Sequence, residues 1–134
     1  MSRGLIYRTE QHIEQQNIIN EIPAAKIIIK CGFTDMRRSI DGLASMVQQV
    51  FKLDPYDRNL YLFCGRRNDR IKALYYDTTG FILLYKRLER GVFQWPRQES
   101  EARQITERQL RWLLEGLSIE QLKAITAMTP KYTV

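Results

Sequence analysis

Residues Asn59 to Pro96 read NLYLFCGRRNDRIKALYYDTTGFILLYKRLERGVFQWP, and this stretch decides the fold. It holds four apolar runs, Leu60 to Phe63, Ile71 to Tyr76, Phe81 to Tyr85 and Val92 to Trp95, separated by turn-forming or charged residues. Tyr, Phe, Ile and Trp crowd these runs because they fit a pleated, half-buried surface. The pattern predicts four antiparallel strands in a meander.

The breaks set the geometry. Gly65 to Asp69 and Asp77 to Gly80 have the length and Gly/Asn/Asp content of hairpin loops, and Leu88 to Gly91 offers a third. Successive turns of a meander fall at alternate ends of the sheet, so the first and third share an end, roughly 10 Å apart. One brings Arg66, Arg67 and Arg70, and the other brings Lys86, Arg87 and Arg90. The expectation is a cationic rim with Asp69 and Glu89 interspersed. Two readings fit it. Arginine forks match phosphate oxygens, or the same arginines are paired with neighbouring acids on a solvated sheet end.

Working outward, Ala25 to Cys31 reads as a strand, with Ile27, Ile29 and Cys31 on one face and Lys26, Ile28 and Lys30 on the other. The lysines suit a sheet edge. From Met36 to Lys52, Ile40, Leu43, Ala44, Val47, Val50 and Phe51 form one apolar stripe, which predicts a long amphipathic helix on the sheet, opened by a cap at Thr34 or Asp35. Gly42 within it points to a close approach to a strand. Arg37 and Arg38 fall in its first turn, where positive charge opposes the macrodipole. They either hold an anion there together with free backbone amides or pair with Asp35, Asp41 or another acid. Leu53 to Asp57 turns the chain into the meander.

Arg97 to Ile105 is polar and reads as a surface connection. Thr106 with Gln109 and Ser118 with Gln121 are capping-box patterns, opening two short helices, Glu107 to Glu115 and Ile119 to Met128. Leu110, Leu113 and Leu114 face inward on the first, which Gly116 ends. The pair closes over the sheet or docks on a partner. Residues 1–22 form an N-terminal extension that Pro23 terminates, residues 23–129 a single α+β domain, and residues 130–134 a tail.

Composition agrees with one soluble domain. A chain of 134 residues, 44% hydrophobic and 27% charged, can bury about two-thirds of its unfolded surface. Lys and Arg outnumber acids 21 to 15, for a net charge of +6 and a pI near 9.5, which favours anionic partners without naming one. Cys31 and Cys64 sit in apolar runs and His12 is the lone histidine. No metal-ligand or redox spacing is present, so buried free thiols in a reducing cytosol, and no cofactor, are expected. The N-terminal residues lack the apolar core of a signal peptide and no run approaches a membrane span, which makes the expected location cytoplasmic.

Catalysis finds no footing in the residues. Asp35, Asp41, Asp54, Asp57, Asp69, Asp77, Glu89 and Glu99 fall mostly at turns or beside arginines, where structure accounts for them. A two-metal nuclease needs several acids converging on one cleft, and the strand order puts Asp69 and Asp77 at opposite ends. No glycine-rich phosphate loop or Ser/His/Asp set exists. The strand aromatics suggest a stacking platform for single strands, but alternation sends half into the core and the C-terminal helices can cover the rest.

Thr34-Asp35-Met36-Arg37-Arg38 with Ile40-Asp41-Gly42-Leu43, then Gly65 to Lys72, Asp77 to Phe81, Tyr85 to Gly91 and Phe93 to Pro96 carry a resemblance. Over about residues 25–117 the chain resembles the small accessory proteins, often called TnpB, encoded by the second reading frame of insertion sequences of the IS sixty-six type. The resemblance implies a non-enzymatic role in transposition, with the catalytic acids on a separate transposase. It implies no catalytic residues here. The sequence therefore leads to an accessory factor whose rim of Arg66, Arg67, Arg70, Lys86, Arg87 and Arg90, joined by Arg37 and Arg38, contacts DNA. The alternative is a subunit that docks on the transposase through Leu113 and Leu114 without binding DNA itself.

Overall fold

The computed structural model describes residues 18–97 and 102–121. Five strands, β1 (Ile27–Lys30), β2 (Leu60–Cys64), β3 (Arg70–Tyr76), β4 (Phe81–Arg87) and β5 (Ala102–Ile105), form one sheet in the order β4, β3, β2, β1, β5. Helices α1 (Ile40–Gln49) and α2 (Glu107–Leu114) pack on it. The class is α+β, as the sequence suggests, but the sheet is mixed rather than an antiparallel meander. β1 runs parallel to β2, with Ile27 beside Leu60 and Ile29 beside Leu62, while the other three pairings are antiparallel. Parallel neighbours need a crossover, and α1 supplies it in a βαβ unit.

β2 shows why this order forms. Leu60, Tyr61, Leu62, Phe63 and Cys64 are all buried, because each face of the sheet carries its own core. Ile27, Ile29, Leu60, Leu62, Ile71, Ala73 and Tyr75 meet Leu110, Leu113 and Leu114 on one side. Ile28, Tyr61, Phe63 and Leu74 meet Leu43, Val47 and Phe51 on the other, where the Phe51 and Phe63 rings stack at 5.9 Å. A continuous apolar run of this kind marks a strand covered on both faces.

Several expectations are corrected. β1 is not an edge strand, since polar β5, in the stretch read as a connection, pairs along its far side. Val92 to Trp95 is not a strand. It is part of a strap running from β4 across the sheet end to β1: Phe93 donates its amide to Asn68 O (2.6 Å), Trp95 Nε1 donates to Lys30 O (2.8 Å), and Pro96 O accepts from the Gly32 amide (2.9 Å). Its alternating aromatics, Phe93 and Trp95, enter the core from this end rather than from within the sheet.

The helix expected from Met36 begins only at Ile40 and ends at Gln49. Asp35 accepts the Arg37 amide on its carboxylate (2.9 Å) and the Arg38 amide on its carbonyl (3.2 Å), which makes a separate turn of the preceding residues. Arg37 and Arg38 thus lie before α1, not in its first turn. Gly42 faces the stem of Arg38, and a Cβ there would sit 3.4 Å from Arg38 Cβ, so no strand approach explains it.

Among the described residues one C-terminal helix, α2, is present. Thr106 and Gln109 form the reciprocal capping box at its start. Gly116 (φ +89°) ends it, with Leu117 N–H bonded to Trp112 O and Gly116 N–H to Leu113 O, the paired closure of a Schellman motif. In the second expected helix Ile119 to Gln121 are non-helical and the remainder lies outside the described residues. Of the expected extension, Ile18–Glu21 forms a 3-10 turn that buries Ile19 in the core. Its residues 1–17 and the tail 130–134 lie outside the described residues.

Candidate nucleic-acid interface

The carboxyl ends of β1 and β2, the β2–β3 turn and the strap all meet at one end of the sheet. The Leu88 amide donates to Asp69 O across 2.7 Å, which joins the chain leaving β4 to the Gly65–Asp69 turn. The two arginine-bearing tips are therefore adjacent, and Arg70 pairs directly with Arg87 across β3 and β4.

Alternation then divides the rim. Arg70, Lys72 and Arg87 share the face occupied by α1, where Lys72 Nζ donates to Arg38 O (2.6 Å) and lies 5.6 Å from the exposed Tyr85 ring. Lys86, opposite Ile71, projects to the other face. Arg66, Arg67, Arg87 and Arg90 are exposed.

Ion pairing splits the rim as well. Arg37 forks onto Asp35, with Nη2 2.8 Å from Oδ2, and these hydrogen bonds hold the Asp35 carboxyl well below the usual carboxylate range while raising Arg37. Arg70 Nε lies 3.3 Å from Asp69 Oδ1. Among the described residues, Arg38, Arg66, Arg67, Lys86, Arg87 and Arg90 enter no ion pair with an acid. Like charges directly opposite on adjacent strands destabilise a sheet, so the Arg70 and Arg87 pair leaves positive potential that Asp69 only partly offsets.

Between the Phe33–Arg37 loop and the Gly65–Arg70 turn lies an open groove of about 670 Å³. Gly65 lets the two walls close up, because a Cβ there would come within 2.7 Å of Met36 Cγ. Phe33, 45% exposed, carries the Arg66 guanidinium at 4.0 Å and that of Arg97 at 5.5 Å from its ring centre. Arg97 Nη2 also donates to Gly65 O (3.1 Å), Arg66 O (3.2 Å) and the Asn68 side-chain oxygen, pinning the turn from beneath. Thr34, 4% exposed, gives its amide to Cys64 O, while its hydroxyl has no partner among the described residues.

Sequence reasoning missed Phe33, Lys72 and Arg97 and saw Thr34 only as a cap. An aromatic in a glycine-flanked loop was the available signal for Phe33. Nothing in the sequence ties Arg97 to a turn some thirty residues away. Leu113 and Leu114, expected to serve a partner, are 1% and 8% exposed inside the core. The strand aromatics Tyr61, Phe63, Tyr75, Phe93 and Trp95 are buried too.

Cys31 and Cys64 are both buried, and burial pushes the Cys64 thiol up to about 12. Among the described residues no group of three or more His, Cys, Asp or Glu could hold a metal ion, and no helix is long and apolar enough to cross a membrane.

The fold and rim define a small α+β protein with a basic sheet end. The chain belongs to the family described as IS66 Orf2 like protein, whose pattern it matches over residues 25–124, and with that family comes an accessory role associated with insertion sequences. It is similar to the uncharacterized protein y4hO of Sinorhizobium fredii, 44% identical over 69% of this chain and 80% of the relative. It is also similar to the uncharacterized protein y4jC of the same organism, 31% identical over 73% of this chain and 84% of that relative. No solved structure matches it.

Proposed function

We propose that the protein is a non-enzymatic accessory factor of transposition that contacts element DNA through its phosphate backbone, acting in the cytoplasm beside the transposase of the same element. The observation that carries this reading is the junction of the two tips, which gathers Arg66, Arg67, Arg87 and Arg90, none of them ion-paired among the described residues, onto one sheet end. Arg38 and Lys72 extend the surface along the α1 face. Recognition of this kind is mainly electrostatic, and each phosphate contact steepens the fall of affinity with salt. Reversing charge at Arg67 and Arg87 abolishes binding to duplex DNA in a gel-shift series across salt concentrations. Unchanged affinity of that variant at moderate salt removes the reading.

A second reading has its own observation. The Arg37 and Asp35 fork is an arginine–carboxylate contact of the kind an acidic protein surface offers. The rim then meets an acidic patch of the transposase. Co-purification with transposase after nuclease treatment, lost on Arg67→Glu, separates this reading from the first.

A further inference from the structure

The groove beside the rim has chemistry that a duplex backbone cannot use. Phosphates need donors and positive charge, and Arg66 and Arg67 provide both. An exposed phenyl ring adds nothing to such contacts. In a duplex the base faces are stacked on one another and only their edges are accessible, whereas an unpaired base offers a π-face to an aromatic ring or a guanidinium plane.

From this we infer that the groove between Phe33–Arg37 and Gly65–Arg70 takes an unpaired nucleotide, so that the protein recognises DNA where a single strand leaves a duplex. The inference deepens the rim reading and rests on it for the duplex side of the contact.

Four features support it. The space, about 670 Å³, lies within the range of pockets for compact ligands. Phe33 is held half-exposed with the Arg66 guanidinium 4.0 Å from its centre, so a base extends a stack already two layers deep. Four arginines line the groove against two aspartates, and Asp35 and Asp69 are already engaged by Arg37 and Arg70, which leaves Arg66 and Arg67 for the nucleotide's phosphate. Thr34 belongs to the lining, and its buried hydroxyl, which can both donate and accept, has no partner among the described residues.

The placement also fits the fold. The groove opens at the carboxyl ends of the parallel strands β1 and β2, where crossover sheets commonly hold ligands. It adjoins the rim through Arg66, Arg67 and Arg70, so one continuous surface runs from duplex to single strand.

The test is fluorescence anisotropy with the full chain and three labelled DNA probes at fixed salt: a blunt duplex, the same duplex with a short single-stranded extension, and the extension strand alone. The extended probe binds about tenfold more tightly than the blunt one, the order expected for one base–aromatic stack. Phe33→Ala brings the extended probe to the blunt duplex's affinity, and Phe33→Trp keeps the difference or enlarges it. Circular dichroism checks that both variants fold.

Equal wild-type affinity for blunt and extended probes overturns the groove assignment and leaves the rim reading standing. A preference that survives Phe33→Ala in the folded variant also overturns it. Binding of the single strand without the blunt duplex supports the groove and removes duplex contact by the rim. Failure to bind any probe overturns both.

Discussion

Leu88 donates its backbone amide to the carbonyl of Asp69 across 2.7 Å, and this bond makes one surface of two turns that are well apart in sequence. If shared placement rather than charge count matters, removing the donor should loosen the rim without altering its composition. Leu88→Pro is expected to cost about 1–3 kcal/mol in urea unfolding and to weaken duplex binding although every arginine is retained. Full duplex affinity in the folded variant would show that the junction is dispensable.

Arg97 anchors the same turn from below, with one guanidinium nitrogen reaching three oxygens on Gly65, Arg66 and Asn68. Lysine keeps the charge but loses the planar fork. Arg97→Lys is expected to destabilise the protein by about 1–3 kcal/mol and to mobilise residues 65–68, read as faster amide exchange in that turn. Exchange indistinguishable from wild type would assign Arg97 no positioning role.

Thr78 adopts φ +83° in the β3–β4 turn, a conformation costly for a β-branched residue. The turn is held by Asp77, whose carboxylate accepts from the Thr79 and Gly80 amides at 3.0 Å and sits below its ordinary pKa chiefly because of the Thr79 amide. Thr78→Gly is expected to raise stability by about 1 kcal/mol, the relief of strain outweighing the added chain entropy of glycine. A lower urea midpoint would reverse that order.

The sequence announces the hairpins and conceals the centre of the sheet. The runs at Leu60, Ile71 and Phe81 and the turns between them are local features, and β2, β3 and β4 fall on them within two residues. Which strand lies beside β1 is a non-local matter. Lys26 and Lys30 suggest an edge, yet Ala102 to Ile105, too polar to read as a strand, takes that edge instead. Val92 to Trp95 has strand-like alternation because Phe93 and Trp95 must reach one core, and a strap across the sheet end meets that demand as well as a strand. The nearness of the two arginine-bearing segments was legible because the β3–β4 hairpin returns the chain to the end of the sheet where the β2–β3 turn lies, although Leu88 to Gly91 leads into a strap and not into the expected third hairpin. Phe33 and Arg97 were not, since their contacts join segments with no sequence periodicity in common.

Alkaline pH should unfold the protein in a way its thiol reports. Burial raises Cys64 from an ordinary value of 9.0 to about 12 and raises Tyr61 too, again chiefly by burial. The folded state favours the neutral thiol, so this contribution is complete below pH 9 and is lost as pH climbs toward 12, by up to about 1.4 kcal/mol per pH unit. Urea midpoints measured from pH 8 upward should fall more gently in Cys64→Ala than in wild type. Parallel curves would mean that the thiol is not the titrating group.

The position of β1 also bears on synthesis. Its outer neighbour, β5, leaves the ribosome roughly forty residues after β2, which is several seconds of translation at about 5–20 residues per second. Through that interval the nascent chain has a half-built sheet with the open side of Ile27–Lys30 exposed to other chains. A fragment ending before Ala102 would keep that side open permanently, so such fragments should aggregate where the whole chain does not.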